Sequence, residues 1–355
     1  EVYLAAPTGK ASRRLSEVTG KDAVTLHRLL GFRPESPGPE YDRDNPLPCG
    51  LLIVDEVSMV GIRMAQLVFD AVANGTRVLL VGDADQLPSV EPGNVLRDLL
   101  EAGVPSVRLE KVFRQASQSQ IITGAHKINS GQAFYPDRRR GDFYFIEKEN
   151  PVEIAQLIVG CVSRLLEQGF SIDNIQVLCP MKNGPVGTIT LNRILQSYVN
   201  PARADKKEIV HKENIFRVGD RVICTVNNYD KGDYGVFNGE TGIVTRILED
   251  DEGVATGLVV QFEQGEIQYG KNELHELILA YAITIHKSQG SEFKAVIIPL
   301  TTSNYVMLAR KLLYTAVTRA KRCVVIVGSD SMVKFMIDNK NEQNRYSSLS
   351  RRIKE

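Results

Sequence analysis

The sequence predicts an α/β protein built on parallel sheets, with a small β-rich module set into the second of them. Three observations lead there. Short apolar runs alternate with amphipathic stretches along most of the chain, the runs end in polar or acidic residues, and a segment from about 206 to 275 breaks the alternation with closely spaced strand-like runs. Alternation of this kind makes parallel strands with helical crossovers, and such sheets gather ligands at the carboxyl ends of their strands. At 355 residues, with 43% hydrophobic and 24% charged positions, the chain has material for two or three globular cores.

The first expected strand is Val2–Ala6, which runs into Pro7-Thr8-Gly9-Lys10. Opening inside a buried strand is unusual, so the chain is expected to be the downstream part of a longer polypeptide. Residues 31–50 interrupt the pattern with Pro34, Pro37, Pro39, Pro46 and Pro48, as a loop or short hairpin pushed out of the first sheet. Leu51–Val54 and Arg77–Val81 read as buried strands, Val152–Gln168 as an amphipathic helix and Ile175–Cys179 as a further strand. Phe216–Cys224, Thr241–Leu248, Leu258–Phe262 and Glu266–Tyr269, separated by Gly-Asp, Asn-Gly and acidic turns, read as a small inserted β-barrel. Ala295–Ile298 and Cys323–Val327 return to the parallel pattern around a helical stretch, Asn304–Ala320, and the polar tail after Asn339 is expected to fray.

Lys+Arg and Asp+Glu both number 43, so the net charge neither supports nor excludes nucleic acid as a partner. The five cysteines, Cys49, Cys161, Cys179, Cys224 and Cys323, form no CxxC pair, which argues against zinc or iron–sulfur sites and for a reducing compartment. Apolar runs such as Val78–Val81 and Ala280–Ile285 are too short to span a bilayer, and residues 1–7 lack the form of a secretory signal. A cytoplasmic protein with no membrane partner is expected.

Leu51 to Met59 is the sharpest local signal: four apolar residues bury a strand that delivers Asp55 and Glu56 to its carboxyl edge. An acid there can hold Mg²⁺ through water while its neighbour orients or deprotonates an attacking water. Alone, the pair also reads as the solvated end of a strand. Val78 to Pro88 repeats the design, ending in Gly-Asp-Ala-Asp-Gln, where Gln86 can hydrogen-bond a terminal phosphate or its attacking water; taken singly, this is more often an ordinary turn. Arg114 and Arg319 could place a guanidinium against a transferring phosphoryl group, although most single arginines are surface ion pairs.

The ordered set says more than any member. Ala-Ala-Pro-Thr-Gly-Lys-Ala (5–11), the Asp-Glu strand, Gly-Asp-Ala-Asp-Gln-Leu-Pro, Phe-Arg-Gln (113–115), Thr-Ile-His-Lys-Ser-Gln-Gly-Ser-Glu-Phe (284–293) and Tyr-Thr-Ala-Val-Thr-Arg-Ala-Lys (314–321) resemble, in order, superfamily 1 helicase motifs Ia, II, III, IV, V and VI. Leu-Pro-Ser-Val-Glu-Pro-Gly (87–93) and Met-Lys-Asn-Gly-Pro-Val-Gly (181–187) resemble the RecD-like group. The resemblance implies two RecA-like domains with ATP in the cleft between them, and a 5′→3′ DNA helicase of recombination or repair. By motif position, Asp55 would act on Mg²⁺ and Glu56 on water; Gln86, Arg114 and Arg319 would meet the γ-phosphate; Gly290 and Glu292 would sit near the nucleotide. Single-stranded DNA and duplex junctions would meet Pro7, Thr8, Gly9 and Lys10, then Met181, Lys182 and Asn183, then Thr284, His286, Lys287 and Ser288. Several of these are small donors or cations suited to phosphate oxygens. A histidine beside an apolar strand is more often a structural hydrogen bonder, so His286 is assigned DNA contact or coupling rather than proton transfer.

The resemblance further implies a first RecA-like domain over 1–106 with a strand-separating pin near 31–50, a second over 107–205 and 276–340, an SH3-like domain over 206–275 and a tail over 341–355. It also implies a nucleoid-associated protein, with other recombination subunits as partners. The SH3-like insert could meet DNA or protein. The phosphate loop of the family, G-x-x-x-x-G-K-S/T, has no counterpart at 6–11, because the first glycine is missing and Ala11 has no hydroxyl for Mg²⁺. Gly265–Asn272 fits the first seven positions but lies in the β-rich insert, with no helix expected to begin at Gly270, and reads as coincidence. The loop is expected upstream of Glu1 in the parent polypeptide. Two other readings stay open: a catalytically inert nucleic-acid-binding subunit, and an RNA or 3′→5′ helicase of the same superfamily.

Overall fold

The computed structural model describes residues 1–33, 38–109, 118–134, 136, 141–228, 230–232, 235–302, 308–340, 345 and 347–355. They form two compact units. The first comprises Glu1–Ser117, Gln289–Ser291 and Lys340–Glu355, the second Gln118–Ser288 and Glu292–Asn339, each range within the described residues.

In the first unit, β1 (Val2–Ala6), α1 (Gly9–Thr19), β2 (Ala23–Thr25) and α2 (Leu26–Leu29) precede the proline-rich stretch; β3 (Leu51–Val54), α3 (Ile62–Asp70), β4 (Arg77–Leu80) and α4 (Val95–Ala102) follow it. The four strands make one parallel sheet in the order β2-β1-β3-β4. Ala5, Leu52 and Val54 share one core with Met64 and Val68 of α3 and Val95 and Leu96 of α4, and Leu4, on the opposite face of β1, is buried as well, as expected of strands covered on both faces. β4 is an edge strand, and Leu79 within it stays half-exposed. The expected pin falls partly outside the described residues; over 38–50 the chain makes turns, with Leu47 buried and bridged to Val72.

The second unit opens with α5 (Gln120–Ser130), β5 (Phe143–Glu147), α6 (Pro151–Glu167), β6 (Ile175–Cys179) and α7 (Thr188–Val199). Then come the strands of the insert: β7 (Glu208–His211), β8 (Asn214–Arg217), β9 (Arg221–Cys224), β10 (Thr241–Glu249), β11 (Ala255–Phe262), β12 (Gly265–Gly270) and β13 (Leu277–Leu279). β14 (Ala282–Thr284), β15 (Phe293–Leu300), α8 (Arg310–Thr318), β16 (Ala320–Gly328) and α9 (Asp330–Asp338) complete it, and α10 (Leu349–Lys354) belongs to the first unit. The parallel sheet runs β14-β6-β15-β16-β5, while the insert forms an antiparallel sheet in the order β12-β11-β10-β9-β13 with β7-β8 as a separate hairpin. One apolar core runs through both, joining Ile158, Val177 and Ile297 with Phe216, Val260 and Tyr269.

Three expectations need correction. The run 216–224 is two strands, because Gly219 at φ 89° turns the chain and Asp220 between them is fully buried. The tail is not frayed over 347–355: Leu349 packs on the first unit's core and α10 lies along α4. A short 3₁₀ turn, Lys271–Glu276, does begin where none was expected, with the Gly270 amide donating to Glu273 Oε2 at 2.8 Å. It follows a strand of the antiparallel sheet, so Gly265–Asn272 lacks the parallel strand, loop and α-helix that a phosphate loop requires.

Candidate functional site

In the first unit the candidate residues gather at the carboxyl edge of the sheet. β1 passes through Pro7 into Thr8, whose hydroxyl accepts the Ala11 amide at 3.2 Å and caps α1. Gly9 and the half-buried Lys10 make the first turn of that helix. β3 ends beside it, and the Asp55 amide donates to the Ala5 carbonyl at 2.9 Å. Asp55 Oδ1 accepts the Glu56 amide at 2.8 Å, and Glu56 itself lies in the left-handed region at φ 53°, ψ 39°. A non-glycine residue there costs on the order of 1–3 kcal/mol and persists where surrounding structure enforces it, commonly at functional sites. Here the enforcement is visible: the Val57 amide donates to the Val81 carbonyl at 2.9 Å, drawing the turn onto β4. Gly82 permits the approach, since a Cβ there would lie 3.0 Å from the Val57 nitrogen and 3.1 Å from that of Ser58.

The loop after β4 carries Gln86. Asp83 organises it, accepting the Asp85 amide at 2.9 Å and Gln86 Nε2 at 3.1 Å, while Asp85 pairs with Arg108 at 2.6 Å. Residues 289–291 lie on the same edge: a Cβ on Gly290 (φ 70°) would come 3.1 Å from Thr8 Oγ1, and Gln289 donates its side-chain amide to the Leu87 carbonyl at 2.8 Å. Pro7, Thr8, Gly9, Lys10, Asp55, Glu56, Gln86 and Gly290 are therefore brought together. Arg114 lies outside the described residues.

In the second unit β6 and β14 run in parallel with Thr284 opposite Cys179, so the loops that follow them are neighbours. After β6, the carbonyls of Met181 and Lys182 accept the amides of Thr188 and Ile189 at 3.2 Å each, folding the loop over the start of α7 and leaving Lys182 and Asn183 exposed. Gly187 makes that fold possible, because a Cβ would fall 2.5 Å from the Asn183 carbonyl oxygen and 2.6 Å from that of Lys182. After β14, Ile285–Ser288 form a 3₁₀ turn in which Thr284 Oγ1 accepts the Lys287 amide at 3.4 Å. Burial holds the Lys287 ammonium below the ordinary lysine range; the nearby Cys224 opposes this, and the positive charge of Lys182 adds to it. His286 and Lys287 are half-buried, but Ser288 is fully buried and donates its hydroxyl to the Ile285 carbonyl at 2.7 Å. Ser288 thus supports the turn, and burial takes its side chain away from solvent and from direct contact with DNA. Arg319, 5% exposed, ends α8, and its carbonyl accepts the Phe293 amide at 2.8 Å. Glu292, expected to share a site with Gly290, pairs with Lys321 at 2.6 Å within the second unit.

Residues 1–141 match the AAA domain family, 191–262 the ATP-dependent RecD-like DNA helicase SH3 domain, and 279–327 the UvrD-like helicase C-terminal domain. The chain is 39% identical over 351 residues to the ATP-dependent RecD2 DNA helicase of Deinococcus radiodurans, covering 99% of this chain and 46% of that protein. It is 33% identical over 373 residues to the RecBCD enzyme subunit RecD of Mycobacterium tuberculosis, covering 95% of this chain and 62% of that one.

The chain belongs to the RecD-like helicase family.

It spans roughly half to two-thirds of the length of these RecD-like relatives. Its fold is that of solved Pif1 helicase structures: one of two coordinating Pif1 helicases at forked double-stranded DNA (TM-score 0.52, 24% identity, 96% of this chain and 84% of that one) and one of Bacteroides Pif1 bound to single-stranded DNA (0.51, 22%, 96% and 85%). The parallel sheets are accordingly RecA-like, and the insert of this RecD-like chain is SH3-like. Among the described residues no helix is long and apolar enough to cross a membrane.

Two residues escaped the sequence reading. Gln289 lies inside the 284–293 motif, beside Gly290, and its place in that motif was the available signal. Gly82 was read as the end of a strand, and only the approach of 57–58 shows why a side chain is excluded.

Proposed function

We propose that this chain is the motor part of an ATP-dependent helicase or translocase acting on single-stranded DNA with 5′→3′ polarity, in DNA recombination or repair. The observation that carries the proposal is Asp55–Glu56 at the carboxyl edge, with Glu56 held in the left-handed conformation beside the Gln86 loop and the Thr8–Gly290 contact. A binding scaffold has no need of a strained acid at that position. In this reading Glu56 orients and deprotonates water, while Gln86, Arg114 and Arg319 meet the γ-phosphate, with Gly290 and Glu292 near the nucleotide. The donors also fit Mg²⁺. Asp55 offers one carboxylate, and the described residues hold no cluster of three or more metal-ligating side chains, which suits an ion that takes one or two carboxylates and fills its shell from phosphate and water. Bound there, Mg²⁺ would neutralise charge on the phosphates.

DNA is assigned to Pro7–Lys10, to Met181–Asn183 and to Thr284, His286 and Lys287. Support comes from the two adjoining loops of the second unit, where Lys182 and Lys287 lie close enough for one to perturb the other and a phosphate would relieve both. The domains proposed are those implied by the motifs: 1–106, then 107–205 with 276–340, then the insert over 206–275, with the 31–50 stretch as strand-separating pin. The compartment proposed is the nucleoid-bearing cytoplasm, with recombination subunits as further partners. The test is unwinding of duplexes bearing a single-stranded tail at one end only, by a form of the chain that carries the family's phosphate loop. Unwinding is expected with a 5′ tail; dependence on a 3′ tail alone would overturn the polarity, and dependence on RNA the substrate.

A further inference from the structure

Arg345 is the one described residue between 341 and 346, and it reaches the loop that follows Gln86. Its Nη1 donates to the carbonyls of Glu91 at 2.7 Å and Gly93 at 2.9 Å, with Ser89 Oγ more distant at 3.3 Å. One guanidinium nitrogen carries two hydrogens, so the two carbonyls are its principal acceptors. The buried Ser89 hydroxyl donates to the same Glu91 carbonyl at 2.7 Å, using that oxygen's second lone pair. The Pro92 carbonyl, between the two that Arg345 holds, accepts the Ile62 amide at 2.9 Å at the start of α3. At the other end of the loop the Leu87 carbonyl is held by Gln289, and Pro88 and Pro92 restrict the backbone. Anchors from three distant parts of the sequence thus fix 87–93, and Gln86 joins this pinned segment directly.

We propose that Arg345 is a positioning residue that clamps the 87–93 loop and thereby sets the presentation of Gln86 at the site. The proposal rests on the motor reading for its kinetic consequence, but not for its structural one. Arg345 touches neither nucleotide nor nucleic acid in this account; it acts through the carbonyls of Glu91 and Gly93. A charged donor suits the task because charge-assisted hydrogen bonds are stronger than neutral ones, and a backbone carbonyl keeps its place whatever side chain the loop carries.

Two measurements test it. Hydrogen exchange on the 355-residue chain reads the clamp without any need for turnover. Arg345→Ala should speed exchange at the Ile62 amide and across Ser89–Asn94 by about tenfold to a hundredfold, the range for losing a hydrogen bond to a charged group, while β1 and β3 amides keep their protection. Leu349→Ala, which loosens α10 on α4, should leave the loop unchanged. Arg345→Lys, with the charge but without the fork, should fall between wild type and alanine; it also decides the matter if the alanine variant loses protection everywhere. Unchanged loop exchange in Arg345→Ala, or in Arg345→Lys where alanine unfolds the unit, overturns the clamp. In the loop-bearing form, Arg345→Ala should lower kcat for ATP hydrolysis with KM for ATP little changed, and an unaltered kcat overturns the link to Gln86. Absence of hydrolysis in the wild type would instead sink the motor reading, with the exchange result still judging the clamp.

Discussion

Replacing Asp220 by alanine empties the junction at which the SH3-like insert is fastened to the second parallel sheet. Asp220 is fully buried. One carboxylate oxygen accepts Asn200 Nδ2 at 2.7 Å and the Tyr281 hydroxyl at 2.9 Å; the other accepts Gln196 Nε2 at 2.5 Å and the Arg217 amide at 2.7 Å. Two donors keep an alternative in the alanine variant, since Gln196 also reaches the Ile215 carbonyl at 2.8 Å and Asn200 that of Val218 at 3.2 Å. The Tyr281 hydroxyl and the Arg217 amide do not. At about 1–3 kcal/mol for each orphaned buried donor, the loss is about 2–6 kcal/mol, reduced by release of the buried charge. Asparagine keeps the volume and one acceptor oxygen, so its loss should be smaller. Burial raises the Asp220 pKa, and the hydrogen bonds from Asn200, Arg217, Tyr281 and Gln196 only partly offset this. The folded state therefore binds the proton more tightly than the unfolded one. The carboxyl's contribution is fully present below its unfolded pKa and is lost as pH rises through the folded value, so the advantage of wild type over Asp220→Ala should be greatest in acid and shrink to a plateau. Urea unfolding followed by circular dichroism, with exchange of β9 and β13 amides to identify the transition, measures it. An unchanged midpoint at neutral pH, or a gap that widens with pH, refutes the reasoning.

Lys287 should make DNA binding pH-dependent. Its pKa is lowered by burial in the free protein and a phosphate favours its charged form, so affinity for single-stranded oligonucleotide should fall as pH rises through the free-state value, and Lys287→Arg should abolish the step; Lys287→Ala should reduce the salt slope by about 0.7, one phosphate contact on a single strand. A fluorescence-anisotropy titration across pH and salt reads both. Gly187→Ala should push the Met181–Gly184 loop off the start of α7, costing about 1–3 kcal/mol and weakening oligonucleotide binding, whereas a variant that binds and melts as wild type does would show that the loop yields freely.

Much of the architecture was open to inspection in the sequence, because buried parallel strands are written as unbroken apolar runs. Val2–Ala6, Leu51–Val54 and Ile175–Cys179 have the bounds that their apolarity predicts, and β15 and β16 merely extend past theirs. The candidate residues follow from the same rule, since Asp55 comes directly after β3 and Gln86 lies in the loop that follows β4. What hid were features decided by contacts remote in sequence. The left-handed turn at Glu56 depends on Val81 and Gly82, and no local preference of Val-Asp-Glu-Val announces it. The break at Val218–Asp220 was masked by flanking apolar residues, although Asp220 is the residue on which the junction converges. Arg345 sits in a polar stretch with the composition of a solvated tail, and only its carbonyl partners, some 250 residues earlier in the chain, distinguish it from one.

The central claim is that Glu56, held in a strained conformation beside Asp55, serves the hydrolysis of ATP. Turnover by the loop-bearing form, with and without single-stranded DNA, should be DNA-stimulated in wild type and slower by at least about a hundredfold in Glu56→Gln, the usual scale for removing a general base, with nucleotide still bound. Equal rates in the two proteins would contradict the account.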